Sequence, residues 1–214
     1  MMESRGVPLT DDNSLTAIAA SLLRSKPGEA LKTVMVTSCR AKEGKTTTAI
    51  NMARALIEEA GKRVLLVDGN HEAPTLHKFF DIKADLGFAD LVHGRATVDQ
   101  LLKRLKADDL TIMPYGSIGT RNLDFYRANH IKEILDQVVD HFDVVLMDGP
   151  SIFGKQDQGT ISAAFDAVIL VIECEQTPWE VVQSGKVRME EIGAKFLGAV
   201  MNRRKYYIPR GLYA

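Results

Sequence analysis

The feature that most narrows the choice of fold is a junction early in the chain, where the β-branched run Thr33–Ser38 gives way to Cys39-Arg40-Ala41-Lys42-Glu43-Gly44-Lys45-Thr46-Thr47 and then to apolar residues at helical spacing. Ala49, Ile50, Ala53, Leu56, Ile57 and Ala60 form one stripe, and Gly61 stands where helices commonly end, which predicts a helix from Lys45 to Ala60. A strand, a tight loop and a helix in that order build a site for a polyphosphate. Gly44 lets backbone N–H groups approach phosphate oxygens, and the helix aims its positive N-terminal end at them. Lys45 adds a point charge, and the Thr46 hydroxyl is placed to ligate Mg²⁺.

The same alternation continues along the chain. Predicted strands are Thr33–Ser38, Arg63–Asp68, Leu110–Pro114, Asp143–Asp148, Ala167–Glu173 and Phe196–Asn202. Between them run helical stripes, one through Ile131, Ile134, Leu135, Val138 and Val139, another from Trp179 to Ile192. Strands apolar throughout are those covered on both faces, so the expected fold is α/β, a doubly wound, mostly parallel sheet of the P-loop NTPase type with helices on both sides. Residues 1–30 read as an N-terminal arm around one weakly amphipathic stretch, Ser14 to Arg24. Residues 31–203 read as the nucleotide-binding domain, and 204–214 as a flexible tail.

Charge and cysteine usage exclude more than they identify. With 27 basic against 28 acidic residues, global charge names no partner and gives no reason to expect nucleic acid. Cys39 and Cys174 lack metal-type spacing, which fits a reducing compartment. The apolar run Leu15 to Leu23 follows Asp11 and Asp12 rather than a positive flank, and no segment reaches the ~20 apolar residues that span a bilayer. A cytoplasmic location follows, with any membrane association supplied by a partner.

Two further strands end in the same way. Val64-Leu65-Leu66-Val67-Asp68-Gly69-Asn70 and Phe142-Asp143-Val144-Val145-Leu146-Met147-Asp148-Gly149-Pro150 each place an aspartate at the close of an apolar run. In parallel sheets the C-terminal strand ends face the phosphate loop, so Asp68 and Asp148 are candidates to hold Mg²⁺ directly or through water. Taken singly, either also suits the capping of a following helix.

The strict pattern G-x-x-x-x-G-K-[ST] is not met, because Cys39 occupies the place of its first glycine. Thr37 to Thr47 resembles instead the deviant phosphate loop of the partition and cell-division ATPase superfamily. The second motif, followed by Pro74, His77 and Phe80, and the third together resemble its bacterial tyrosine-kinase branch, whose members serve capsule and exopolysaccharide production. The likeness runs from about Thr33 to Asn202. It implies binding of ATP with Mg²⁺ by residues 40–47 (Arg40, Ala41, Lys42, Glu43, Gly44, Lys45, Thr46 and Thr47), and catalytic roles for Lys45, Asp68 and Asp148. Thr46, Asp68 and Asp148 would hold metal. Asn202 matches a position where the superfamily commonly sets an asparagine against adenine; by itself it is equally a turn-forming residue.

The resemblance further implies a homo-oligomer, a dimer or larger, an inner-membrane polysaccharide co-polymerase or export protein as partner, and self-phosphorylation of a tyrosine-rich tail. Tyr206, Tyr207 and Tyr213 are the phosphoacceptor candidates, three of the five tyrosines of the chain, with packing on a neighbour as the other reading. Arg40 aligns with a lysine that in partition ATPases reaches the partner subunit's nucleotide, and Lys42 replaces a usual glycine; each also reads as a solvated loop charge.

Three departures bear on activity. Asn70 stands where the kinases have a second aspartate, and an amide neither carries charge nor takes a proton. Glu72-Ala73 replaces basic residues, and Ser14 to Arg24 lacks the Glu-x-x-Arg-x-x-Arg helix that packs kinase subunits together. The expected function is therefore an ATP-dependent tyrosine autokinase weakened by Asn70. The alternatives are a switch ATPase of the partition type and a nucleotide-binding regulator of polysaccharide export.

Overall fold

The structure is a computed structural model that describes residues 31–105, 109–116, 127–154 and 158–205. The arm 1–30 and the tyrosines of the tail lie outside the described residues. In chain order the elements are β1 (Thr33–Ser38), α1 (Lys45–Glu58), β2 (Val64–Asp68), α2 (Leu76–Phe79), α3 (Phe88–Val92), α4 (Val98–Leu101), β3 (Lys103–Leu105) and β4 (Leu110–Met113). There follow α5 (Ala128–Asp136), β5 (Val144–Asp148), a 3₁₀ segment at Gln158–Ala164, β6 (Ala167–Glu173), α6 (Trp179–Glu191) and β7 (Phe196–Asn202).

One seven-stranded sheet runs in the order β3-β4-β2-β5-β1-β6-β7, parallel except for β3, which pairs antiparallel with β4. Three strands match their predicted bounds, while β2 and β5 start one residue later than expected and β4 ends one residue earlier. Helix α1 closes at Glu58 rather than Ala60, and α5 stops at Asp136, short of Val138 and Val139.

Strand geometry explains why the runs are apolar at every position. Successive side chains point to opposite faces. Val34 and Val36 of β1 join Leu66, Leu146, Ile169 and Val171 beneath α1, which contributes Ala49, Ile50, Met52, Ala53 and Leu56. Met35 joins Leu65, Val67, Val145, Met147 and Leu170 on the other face, covered by Phe88 and Leu91 of α3, Ile131 and Ile134 of α5 and Met189 of α6. Each such side chain contributes roughly 1.5–3 kcal/mol on burial, which keeps the inner strands β1, β2, β5 and β6 buried on both faces, whereas the edge strand β7 alternates, with Leu197, Ala199 and Met201 exposed.

The chain leaves β1 for β2 in one direction and later returns from β5 over β1 to β6 in the other. The carboxyl ends of β1, β5 and β6 therefore border the crevice that a switch in winding direction opens. β1 pairs with β5 through Val36↔Asp148 and with β6 through Ser38↔Val171, while Asp68 stands directly opposite Asp148.

Candidate functional site

The loop after β1 is built by small local decisions. Gly44 takes φ +94 as the N-cap of α1, a backbone open chiefly to glycine. A Cβ placed there would lie 1.9 Å from Nδ2 of Asn202, so side chain is excluded twice over. Lys42 also adopts a left-handed backbone, φ 71, at the position where the resembled loop has glycine; that conformation costs an L-residue roughly 1–2 kcal/mol. The first turn of α1 carries no acidic side chain. The N–H groups of such a turn have no partner within the helix and present a concentrated anion-binding surface.

Cys39 packs the loop against α6. It is fully buried, and its Sγ meets the Val181 carbonyl of α6 at 3.5 Å. A Cβ on Gly185 would come within 2.6 Å of that sulfur. The loop thus docks on α6 through a side chain that the strict glycine could not supply. Burial, reinforced by Glu43, pushes the thiol up to about 11.

Lys45 is 5% exposed and its Nζ lies 3.4 Å from Oγ of Ser151, in the loop after β5. The Thr46 hydroxyl donates to Oδ2 of Asp148 at 2.6 Å and touches Oγ1 of Thr75 at 3.4 Å. Asp148 has no exposed surface, and its Oδ1 has no hydrogen-bond partner among the described residues. Burial pushes its carboxyl up to about 7; Lys45 opposes that rise, Asp68 adds to it, and the Thr46 hydroxyl opposes it.

Asp68 is equally buried but otherwise placed. Its Oδ2 accepts the N–H groups of Thr75 and Leu76 at 2.9 and 3.0 Å, and Oδ1 accepts that of Asn70 at 3.2 Å. It therefore caps α2 while remaining beside the site. Burial raises its carboxyl, and these N–H groups and His77 pull it back. Asn70 is buried next to it.

A buried carboxylate oxygen without a partner, a hydroxyl on its sibling oxygen and a second carboxylate across the sheet form a hard-oxygen donor set. That set fits Mg²⁺, which takes one or two carboxylates together with phosphate oxygens. Thr46, Asp148 and Asp68 are thus brought together with Lys45 and the start of α1, as the sequence indicates.

Other expected residues are placed differently. Arg40, Ala41 and Lys42 are exposed on the loop. Glu43 is buried, and its carboxylate accepts the Arg40 N–H at 2.8 Å and the Thr177 hydroxyl. Asn202 is buried at the end of β7, donating to the Glu43 carbonyl at 2.9 Å and accepting the Arg203 N–H at 2.9 Å. Tyr206, Tyr207 and Tyr213 lie outside the described residues. Ser151, Thr75 and Thr177 escaped sequence reasoning; only Ser151, directly after Asp148-Gly149-Pro150, carried a usable signal there.

The sequence model of a family described as "AAA domain" matches residues 31–192. The chain is 26% identical over 209 residues to a protein of Bacillus subtilis (strain 168) named "Tyrosine-protein kinase YwqD", with 95% of this chain and 88% of that protein covered. Among solved structures, "the chimerical protein CapA2B2" superposes with a TM-score of 0.83 at 25% identity, covering 94% of this chain and 88% of that one. The septum site-determining protein MinD of Pyrococcus horikoshii OT3, complexed with Mg-ADP, shares the fold with a TM-score of 0.67 at 22% identity, over 84% and 74% of the two chains.

Proposed function

The chain belongs to the AAA-domain family, and from that premise we propose that it binds Mg-ATP in the loop 37–47 and transfers a phosphoryl group to tyrosine, on its own tail or on another copy. The observation that carries this reading is the Asp148 carboxylate: buried, pushed up to about 7, bonded to Thr46 through one oxygen and left with a bare second oxygen. Its relation to a protein named as a tyrosine kinase and its fold shared with a Mg-ADP complex support the choice of nucleotide and reaction.

Mg-ATP, when bound, supplies the transferable phosphoryl group and a cationic charge that offsets it. Thr46 and Asp148 would hold the metal, with Asp68 nearby. Lys45, nearly excluded from solvent, places its amino group beside the phosphate loop, where screening is weak. The amides of the first α1 turn orient the anion, and Asp68 fixes the 69–76 loop that borders the site. Tyr206, Tyr207 and Tyr213 are the proposed acceptors. A homo-oligomer and a membrane-embedded polysaccharide export protein are the proposed partners; no described helix is long and apolar enough to cross a membrane.

Lys45→Met tests the assignment. Phosphotyrosine formation in purified protein incubated with Mg-ATP should fall about a hundredfold or more while the far-ultraviolet circular dichroism is kept. Full phosphotyrosine signal in that variant overturns the reading.

Buried Asn70 favours a second reading, a nucleotide-binding regulator with slow turnover, because an amide offers no base or added charge. Measured together, phosphate release, mass added to the tail and oligomeric state separate the readings. Added mass at the tail tyrosines marks the kinase, phosphate release without it marks a switch ATPase, and binding alone marks the regulator.

A further inference from the structure

Glu43 lies within the phosphate loop, immediately before Gly44, yet only 3% of it is exposed and both carboxylate oxygens are engaged inside the protein. Oε2 takes the N–H of Arg40, at the entrance of the loop, and Oε1 takes the hydroxyl of Thr177, between β6 and α6. The carbonyl of the same residue accepts Nδ2 of Asn202, the last residue of β7. One residue thus ties three places that are distant in sequence, 134 residues from Glu43 to Thr177 and 159 to Asn202. The Asn202 amide also lies where any side chain at position 44 would have to go.

The segment held in this way has a reason to spring open. It contains two left-handed residues, Lys42 at φ 71 and Gly44 at φ 94, and the first of them is not glycine. Its amides are useful to a triphosphate only while they converge, and convergence of dipoles is unfavourable before the anion arrives.

We infer that Glu43, Thr177 and Asn202 are positioning residues that buckle the loop from β6 and β7 into its anion-binding shape, setting affinity for the triphosphate independently of the base it carries. The inference rests on the loop being the nucleotide site. Glu43 is then no ligand of the nucleotide, since an acidic side chain directed at phosphate would repel it, and Asn202 serves the loop through the bond seen in the structure.

Thr177→Val, Glu43→Ala, Glu43→Gln and Asn202→Ala are titrated by calorimetry with Mg-ATP, Mg-GTP and magnesium tripolyphosphate, and assayed for tyrosine phosphorylation. Thr177→Val and Glu43→Ala should each weaken all three ligands by about tenfold, and the double variant by little more than either, because both remove the same bond. KM for ATP should rise by a similar factor while kcat stays within about twofold. Glu43→Gln should recover most of the affinity: its carbonyl can accept the Arg40 N–H and its amide can donate to Thr177. Asn202→Ala should lower affinity for the three ligands in parallel.

Wild-type affinity in Thr177→Val and Glu43→Ala overturns the buckle, and so does a loss in Asn202→Ala confined to ATP. Equal damage by Glu43→Gln and Glu43→Ala with Thr177→Val silent also overturns it, by making Glu43 a ligand. Should Glu43→Ala fail to fold, Thr177→Val, which loses one surface-side hydroxyl, decides the matter. If the wild-type protein binds none of the three ligands, the nucleotide reading itself falls and takes the buckle with it; wild-type binding with unaffected variants removes the buckle alone.

Discussion

Asp68 and Asp148 stand side by side at the ends of neighbouring strands, in register, each after a buried apolar run and before a glycine, yet they are different chemical objects. The three N–H groups that converge on Asp68 make its charge part of the architecture of the 69–76 loop. Asp148 has one hydroxyl and a bare oxygen, so its charge is opposed by burial and held in readiness. The difference teaches that position in a sheet supplies a carboxylate, but the loop that follows decides what the carboxylate is for. After β2 the chain turns back and spends its amides on Asp68; after β5 the carbonyl of Pro150 is bonded by Thr37, and Ile152 and Phe153 donate to the β1 end instead.

The sharpest way to break the comparison is to neutralise each aspartate. Asp148→Asn should reduce phosphoryl transfer by about a thousandfold while the nucleotide-free protein gains thermal stability, because a buried, upshifted charge is removed. Asp68→Asn should do the opposite in stability: an amide cannot accept all three N–H groups, and denaturant titration should show a loss of about 2–3 kcal/mol. Equal stability changes in the two variants would erase the distinction.

A smaller effect lies in pH. The folded pKa of Asp148, about 7, exceeds that of the unfolded chain, so between roughly pH 4 and 7 the native state holds a proton that the unfolded state has released. Stability of the nucleotide-free protein from this group is therefore highest at low pH and declines as pH rises toward 7. Metal binding requires the ionised form and should weaken by about tenfold per unit below pH 7. Asp148→Asn should flatten both profiles, and Asp68→Asn should keep the metal profile but move it to lower pH, because it removes a charge that raises the Asp148 carboxyl. The smallest expected change is in Asn70→Asp, which adds a third carboxylate beside the pair; a severalfold rise in tail phosphorylation, read by mass spectrometry, is the expected outcome under the kinase reading.

The sheet was legible because its inner strands are buried on both faces, so that Thr33–Ser38 and Ala167–Glu173 could be bounded to the residue; Phe196–Asn202 was bounded as well, although as an edge strand it exposes Leu197, Ala199 and Met201. β3 was missed for the converse reason: Lys103–Leu105 is a three-residue edge strand, half-buried at best, with two cations and no apolar run. The short helices α2 to α4 span four or five residues, too few for a period to show. In the site, Lys45, Thr46, Asp68 and Asp148 were readable because each follows a local rule of strand ends and helix starts. Glu43 and Asn202 were picked out as nucleotide contacts, while the bonds they make in the fold reach Thr177 and each other across more than a hundred residues, beyond any spacing rule. The unequal roles of the two aspartates were hidden as well, since the amides that separate them belong to loops without a pattern.

The thiol of Cys39, closed against Gly185, makes the protein its own stopwatch. While the loop rests on α6 the sulfur is inaccessible and, at a pKa of about 11, almost wholly protonated at neutral pH; only a lifted loop exposes a thiol of ordinary reactivity. At reagent concentrations where capping outpaces reclosing, the rate at which an alkylating reagent caps Cys39 therefore counts loop openings, and slowing of that rate by a bound triphosphate would measure how long the loop stays shut.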